Sequence, residues 1–215
     1  MLNVLYPDIE WSHIKCIGFD LDGTLYDEFE FIVQTYKKIV LENTKFFRIE
    51  EQTEILEFMT DRWLQKGSSY NRIFEETFNQ YATHDISFQK KFVDNSLNIF
   101  RTFMPDMLLS ERSRAILSYI KKNSYDIFLV TDGNPELQSQ KICSLGLDKI
   151  FNDSIFFTSK FGSDYEKPSI KILKHINLSS TPDQVVYVGD REVDKLFAEN
   201  AGFKFLKVYN LIYCR

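Results

Sequence analysis

Five short runs of mainly apolar residues, with amphipathic segments between them, constrain the fold of this chain more than any other feature. The runs are Lys15–Asp20, Asp126–Thr131, Ser154–Thr158, Gln184–Gly189 and Phe203–Val208. Near-continuous apolar runs of this length are typical of strands that are covered on both faces of a parallel sheet. Their alternation with helical segments predicts a doubly wound, mostly parallel α/β fold.

Helix signals mark the segments between these strands. Ser110–Lys122 carries apolar residues at helical spacing. Asn134-Pro135 combines an N-cap residue with proline at the first helical position, and this helix is predicted to run to Gly146. Lys167-Pro168 predicts the start of another helix in the same way.

The segment from about Glu28 to Met104 contains no convincing strand. Its amphipathic segments predict helices over Phe29–Phe47, Glu50–Lys66, Tyr70–Tyr81 and Ser87–Phe103. The predicted organisation is therefore an α/β core of residues 1–26 and 106–215 with an inserted α-helical domain of residues 27–105. Because ligands bind outside the carboxyl ends of the strands in such sheets, an insertion after the first strand is a candidate lid.

Composition excludes several classes of function. The 215 residues are 44% hydrophobic and 27% charged, which is typical of a globular protein, and the net charge of −5 argues against nucleic acid as a partner. No secretory signal and no apolar run long enough to span a membrane is visible. The cysteines Cys16, Cys143 and Cys214 lack metal-type spacing, so we expect reduced thiols in a cytoplasmic protein, with Cys16 and Cys143 packed in the core. The oligomeric state stays open.

Asp20 and Asp22 end the first predicted strand and are followed by Gly23-Thr24. Two acids spaced in this way at a rigid strand end can divide the work of nucleophile and proton donor. A metal ion would be needed to hold both carboxylates together with an anionic substrate. Taken alone, however, such a pair is more often a solvated turn or a helix cap.

Polar residues also follow three further predicted strands. Thr131 and Asp132 precede a helix start, where a hydroxyl and backbone N–H groups can bind phosphate oxygens. Lys167 lies at a predicted helix entrance, where the helix dipole disfavours a cation unless an anion is near. Asp190 and Asp194 offer the carboxylate oxygens that Mg²⁺ prefers. Each cluster alone is equally compatible with a capped helix or a solvated side chain. Four clusters at one sheet edge are not.

These motifs resemble those of the haloacid dehalogenase-like hydrolase superfamily. The matching residues are Asp20-Leu21-Asp22-Gly23-Thr24-Leu25, Thr131, Lys167-Pro168, Gly189-Asp190 and Asp194. The resemblance covers nearly the whole chain. It implies a Rossmann-like sheet, and the helical insertion is similar to the family's cap domain of the first type.

The resemblance also implies a role for each motif residue. Asp20 would attack phosphorus and become an aspartyl phosphate, and Asp22 would protonate the leaving alcohol and then activate water. Thr131 and Lys167, with Asp132 beside them, would form the phosphate site. Mg²⁺ would be bound by Asp20, the backbone carbonyl of Asp22 and Asp190, with Asp194 assisting.

Asp22 bears on the type of reaction that the resemblance implies. Dehalogenases of this superfamily lack this acid, so its presence favours a phosphatase acting on a small phosphorylated metabolite. The alternatives are a sugar phosphomutase and a non-catalytic binding module with the same fold. As a proton donor Asp22 needs a raised pKa, which burial under a closed lid could provide. Arg191, in place of a small hydroxyl residue, and Asp132 depart from the pattern of many relatives.

Substrate selection is expected from the inserted domain and its entrance. The candidates are Tyr26, Asp27 and Glu28 and the turn Gly67-Ser68-Ser69-Tyr70, with Arg62, Trp63 and Arg72 near it. An arginine with aromatic neighbours can clamp a second anionic group or stack on a sugar or base. The alternative is a surface arginine beside a core tryptophan.

Overall fold

A five-stranded parallel sheet forms the centre of the α/β part of the protein. The computed structural model describes residues 1–68 and 70–208. The strands are β1 (Cys16–Phe19), β2 (Asp126–Thr131), β3 (Ile155–Phe157), β4 (Val185–Gly189) and β5 (Lys204–Lys207). They pair in the order β3-β2-β1-β4-β5, and every pairing is parallel. The predicted α/β fold class with a parallel sheet is confirmed.

Helices account for most of the remaining described residues. The α-helices are α1 (Leu2–Leu5), α2 (Glu28–Glu42), α3 (Gln52–Lys66), α4 (Ile73–Tyr81), α5 (Gln89–Thr102), α6 (Glu111–Lys122), α7 (Pro135–Ser144), α8 (Asp148–Phe151) and α9 (Glu192–Ala201). The start of α7 is confirmed, because the Asn134 side chain accepts a hydrogen bond from the Leu137 N–H at 2.9 Å and Pro135 occupies the first turn.

The central strand β1 is tightly packed along its whole length. All four of its residues are buried. A Cβ atom on Gly18 would lie 2.3 Å from Cζ of Phe128 and 2.7 Å from Cδ2 of Tyr187, so only glycine leaves room for these two rings. Asp20 follows directly on β1, and its N–H donates to the carbonyl of Val188 at 2.9 Å. The sheet thus fixes the backbone of the first motif.

The chain divides into two compact units, Met1–Glu28 with Met107–Arg215 and Phe29–Asp106. The second unit, called the cap unit below, contains no strand among its described residues. Phenylalanine rings fill its interior: Phe92 is fully buried, with ring centroids 5.2 Å from Phe47 and 5.7 Å from Phe46. Its role as a lid stays a prediction.

One arginine of the cap unit is held by its own neighbours. Arg62 donates from Nε and Nη2 to the two carboxylate oxygens of Glu76, at 2.8 and 2.9 Å, and the Tyr70 hydroxyl donates to the same carboxylate. This bidentate pair lowers the pKa of Glu76 to about 2. Arg62 is thereby committed to a structural pair, which weakens the expectation that it clamps a substrate anion.

Two local predictions are wrong, and one predicted helix end is confirmed. Lys167-Pro168 does not open an α-helix, because Ile170–His175 forms a 3₁₀ segment that begins after Ser169. α7 ends at Ser144 with Leu145 as its C-cap residue, and Gly146, where φ is +68°, stops this helix as predicted. The prediction that Cys143 packs in the core is wrong, because Cys143 is exposed and is not among the buried residues of α7, whereas Cys16 is buried as predicted.

Two predicted features lie outside the described residues, namely Ser69 of the cap turn and the thiol of Cys214. Among the residues that are described, no helix has the length and apolar character needed to cross a membrane.

Candidate active site

The carboxyl ends of the strands bring three of the motifs into direct contact around Lys167. Its Nζ atom lies 2.5 Å from Oδ1 of Asp20 and 2.6 Å from Oδ1 of Asp194, and its side chain is 0% exposed. Asp20 follows β1, and Asp194 lies in the first turn of α9, after β4. Residues that are 147 and 27 positions from Lys167 in the sequence therefore meet in one buried cluster.

Asp190 completes a group of three carboxylates with Asp20 and Asp194. One oxygen from each lies within 4.8 Å of the others. Two glycines permit this approach: a Cβ on Gly23, where φ is +71°, would lie 2.5 Å from Oδ2 of Asp190, and one on Gly189 would lie 2.4 Å from Cβ of Asp194. Three carboxylates against the single ammonium of Lys167 leave an excess of negative charge, which a divalent cation would neutralise.

The pKa values in this cluster reflect the uncompensated charge. Burial, and then the proximity of Asp194, raise the pKa of Asp20 to about 7, although Lys167 opposes the shift. Burial and Asp194 also raise the pKa of Asp190. Burial would lower the pKa of Lys167, but Asp20 and Asp194 hold it well above its usual value, so the lysine stays charged.

The raised pKa of Asp20 predicts a pH-dependent stability of the metal-free protein. The folded state keeps a proton on Asp20 up to a pH of about 7, whereas the unfolded chain loses it near pH 4. This contribution to stability is complete below about pH 4 and is lost as the pH rises to about 7. We expect the free energy of unfolding of the wild-type protein, measured with a chelator present, to fall by about 1.4 kcal/mol per pH unit between about pH 4 and pH 7. This fall is measured relative to the Asp20→Asn variant, which lacks the titrating group. Urea unfolding measures the difference, and a pH-independent difference would contradict the prediction.

Asp22 lies in a different environment, surrounded by hydrogen-bond donors. Nζ of Lys141 lies 2.7 Å from its Oδ1 atom, Nε2 of Gln138 lies 2.5 Å from its Oδ2 atom, and the hydroxyl of Tyr26 donates to Oδ1. Burial raises the pKa of Asp22, but Lys141, Tyr26 and Gln138 together outweigh it, and the pKa lies below its ordinary value. The expectation of a raised pKa at Asp22 is therefore wrong for this structure.

The predicted phosphate-site residues at the carboxyl end of β2, Thr131 and Asp132, contact α7 and the loop that carries Lys167. The Thr131 hydroxyl accepts a hydrogen bond from Nε2 of Gln138 at 2.7 Å. The Asp132 carboxylate accepts from the Thr158 hydroxyl at 2.7 Å and from the backbone N–H of Lys167 at 3.2 Å. These contacts give Asp132 a part in positioning the Lys167 loop, whereas its direct contact with phosphate stays a prediction.

Arg191 and Glu28 add one cation and one carboxyl group to the charged groups of the candidate active site. Nε of Arg191 is buried and has no hydrogen-bond partner among the described residues. Asp20 and Asp194 are the main groups that raise the pKa of Arg191 against its burial. Burial and the charge of Asp22 raise the pKa of Glu28 to about 8. The guanidinium is thus a charged donor with a free N–H beside the acidic cluster.

Sequence reasoning missed Gln138 and Lys141. Both lie on the face of α7 that also carries the buried residues Leu137 and Ile142. The available signal was their spacing of three, which puts two polar side chains on the face of an amphipathic helix that otherwise carries apolar residues. Tyr26 was expected to select the substrate, but it is buried and donates to Asp22.

Comparison with known proteins identifies relatives of this chain. The chain matches the family model for haloacid dehalogenase-like hydrolases over residues 17–208, which confirms the resemblance of the motifs. It is similar to a glyceraldehyde 3-phosphate phosphatase of Pyrococcus furiosus, with 28% identity over 203 residues, covering 89% of this chain and 79% of the relative. One from Methanocaldococcus jannaschii is 25% identical over 185 residues, covering 85% and 78%. A crystal structure of a subfamily IA hydrolase from Geobacter sulfurreducens shares the fold, with a TM-score of 0.66, 24% identity and coverage of 91% and 87%.

Proposed function

Because this chain belongs to the haloacid dehalogenase-like hydrolases, we propose that it is a Mg²⁺-dependent phosphatase that hydrolyses a small phosphate ester through an aspartyl-phosphate intermediate. The observation that carries the proposal is the buried cluster in which Lys167 bridges Asp20 and Asp194, with Asp190 beside them. A cluster that holds more carboxylates than cations at a strand end suits a divalent cation and a phosphoryl group together.

The proposed chemistry has two steps. In the first, a carboxylate oxygen of Asp20 forms a bond to phosphorus as the ester P–O bond breaks, and Asp22 gives a proton to the leaving oxygen. Because the pKa of Asp22 is low without substrate, Asp22 must take up this proton from solvent when the anionic substrate binds. In the second, Asp22 takes a proton from water as the water oxygen attacks phosphorus and releases Asp20. Lys167 supplies a buried positive charge to the transferring group, and Thr131 supplies a hydroxyl.

The donor set fits Mg²⁺. Asp20, Asp190 and the backbone carbonyl of Asp22 would hold the ion, with Asp194 beside them, and these oxygen ligands are of the type that Mg²⁺ prefers. When bound, the ion would supply positive charge to the phosphoryl oxygens.

The substrate class follows from the relatives and from the charge of the site. The similar proteins named above are glyceraldehyde 3-phosphate phosphatases. We therefore propose that the substrate is a small metabolite carrying a phosphate monoester. Arg191, whose Nε atom has no hydrogen-bond partner in the part of the chain that the structure describes, is the candidate for an additional contact with an anionic oxygen of the substrate.

A panel of phosphate esters tests the proposal. We expect the purified protein to release inorganic phosphate from small sugar phosphates and triose phosphates in the presence of Mg²⁺, and we expect a chelator to abolish the release until Mg²⁺ is restored. No phosphate release from any ester would argue for a binding module. Conversion of a sugar monophosphate to its isomer without net release of phosphate would identify a phosphomutase.

A further inference from the structure

Two polar side chains on the buried face of α7 are themselves almost fully buried. Lys141 is 4% exposed and Gln138 is 3% exposed, whereas lysine is almost never fully buried unless it is paired. Removing an ammonium group from water is costly, so an apolar residue at this position would serve packing better. The two polar side chains on this helix face therefore indicate a function in the candidate active site.

Between them these two side chains hold both oxygens of one carboxylate. Nζ of Lys141 lies 2.7 Å from Oδ1 of Asp22, and Nε2 of Gln138 lies 2.5 Å from Oδ2. Because the donors come from successive turns of one helix, they fix the carboxylate plane as well as its position. The hydroxyl of Tyr26, which is also buried, adds a third donor at Oδ1.

Gln138 also contacts the predicted phosphate site. The same Nε2 atom lies 2.7 Å from the Thr131 hydroxyl oxygen and 3.0 Å from the carbonyl oxygen of Asp132. A hydroxyl that accepts such a hydrogen bond keeps its own proton for another acceptor, and among the described residues the acceptor for that proton is the Asp132 carbonyl oxygen at 3.3 Å. The hydroxyl is thereby oriented as a donor, as a phosphoryl oxygen requires.

We propose that Gln138 and Lys141 are positioning residues that hold Asp22 for both of its proton transfers and couple it to Thr131. This inference rests on the proposed function. Neither residue exchanges a proton with the substrate. Asp22 gives its proton to the leaving oxygen and later takes one from the attacking water, and the two donors set where its carboxylate lies during each transfer.

The dependence of rate on the leaving group separates positioning from general damage. An alkyl phosphate needs a proton on its leaving oxygen, whereas a p-nitrophenyl phosphate does not. For Gln138→Ala and Lys141→Met we expect kcat/KM to fall about 100-fold with an alkyl phosphate and less than about 5-fold with p-nitrophenyl phosphate. Hydrolysis of the phosphoenzyme still needs Asp22 as a base, so both variants are expected to release a burst of nitrophenolate of about one equivalent before slow turnover.

Two variants on exposed surfaces serve as matched controls. Gln140→Ala changes an exposed residue of the same helix, and Lys149→Met removes an exposed lysine from α8. Both are expected to keep the wild-type ratio of alkyl to aryl kcat/KM and to show no burst. Thermal unfolding confirms that each variant is folded, and if Lys141→Met is not, Gln138→Ala and Gln138→Leu decide the question.

The possible failures are distinguishable. If the wild-type protein hydrolyses neither ester, the proposed function fails before any variant is compared. If the wild-type protein hydrolyses both, but folded Gln138 and Lys141 variants keep its alkyl-to-aryl ratio and show no burst, the positioning inference is overturned and the phosphatase assignment stands.

Discussion

Asp20→Asn is expected to lower kcat for phosphate ester hydrolysis by at least about 10⁴-fold, as the loss of a covalent nucleophile does in other enzymes. The amide of asparagine has the size of the carboxylate but cannot form the aspartyl phosphate. The preferred ester from the panel, assayed for inorganic phosphate at saturating Mg²⁺, measures the effect. Asp20 is buried against Lys167 and Asp194. Because asparagine has the same size as aspartate, the substitution removes the nucleophile without opening a cavity at this position.

A labelled substrate distinguishes loss of the nucleophile from loss of metal or substrate binding. Acid-quenched wild-type protein is expected to carry covalent phosphate, and Asp20→Asn none. Asp153→Asn, which changes an exposed aspartate, should behave as wild type in both assays. Wild-type rates in the Asp20→Asn protein, or a label that persists in it, would refute the assignment of Asp20 as the nucleophile.

The centre of the sheet was predictable from sequence because the two central strands β1 and β4 contain no charged residue. Every residue of β4 (Val185–Gly189) and of β1 is buried. Strands that are buried on both faces appear in the sequence as continuous apolar runs, which are easy to recognise. The carboxyl ends of parallel strands lie at one edge whatever the loops do. For this reason the sequence alone predicts that Asp20 and Asp190 lie close together.

The environment of Lys167 could be predicted in part only. Sequence reasoning placed it at a helix start and inferred a nearby anion from the helix dipole. The structure has no α-helix there, and the anions are the carboxylates of Asp20 and Asp194. Contacts between residues so far apart in the chain depend on how the loops close, and no local pattern encodes that closure.

The protonation of Asp22 was predicted with the wrong sign for a related reason. Burial can be inferred from an apolar neighbourhood, but the sign of a pKa shift depends on the nearest charges. Here the decisive cation, Lys141, lies 119 residues away on α7, at a position whose helical pattern predicts an apolar side chain. A polar pair on an otherwise apolar helix face is the local signal that comes closest to revealing it.

Lys167→Met is expected to separate catalysis from metal binding. Without the ammonium, two buried carboxylates face each other, so the free energy of unfolding of the metal-free protein should fall by about 3 to 5 kcal/mol. The phosphoryl group also loses its buried counter-charge, so kcat should fall by about 10³-fold. Mg²⁺, in contrast, should bind more tightly than to wild type, because the cluster of Asp20, Asp190 and Asp194 becomes more negative.

Calorimetric titration with Mg²⁺, together with urea unfolding and the phosphate assay, checks all three effects of Lys167→Met. Lys171→Met is the matched control, since Lys171 is exposed and pairs with the exposed Asp164. It should leave the three measurements at wild-type values. If Lys167→Met loses Mg²⁺ binding together with activity, Lys167 acts by organising the metal ligands rather than by neutralising the transferring phosphoryl group. Full activity in that variant would remove the lysine from the reaction altogether, because no other described cation lies within salt-bridge distance of Asp20.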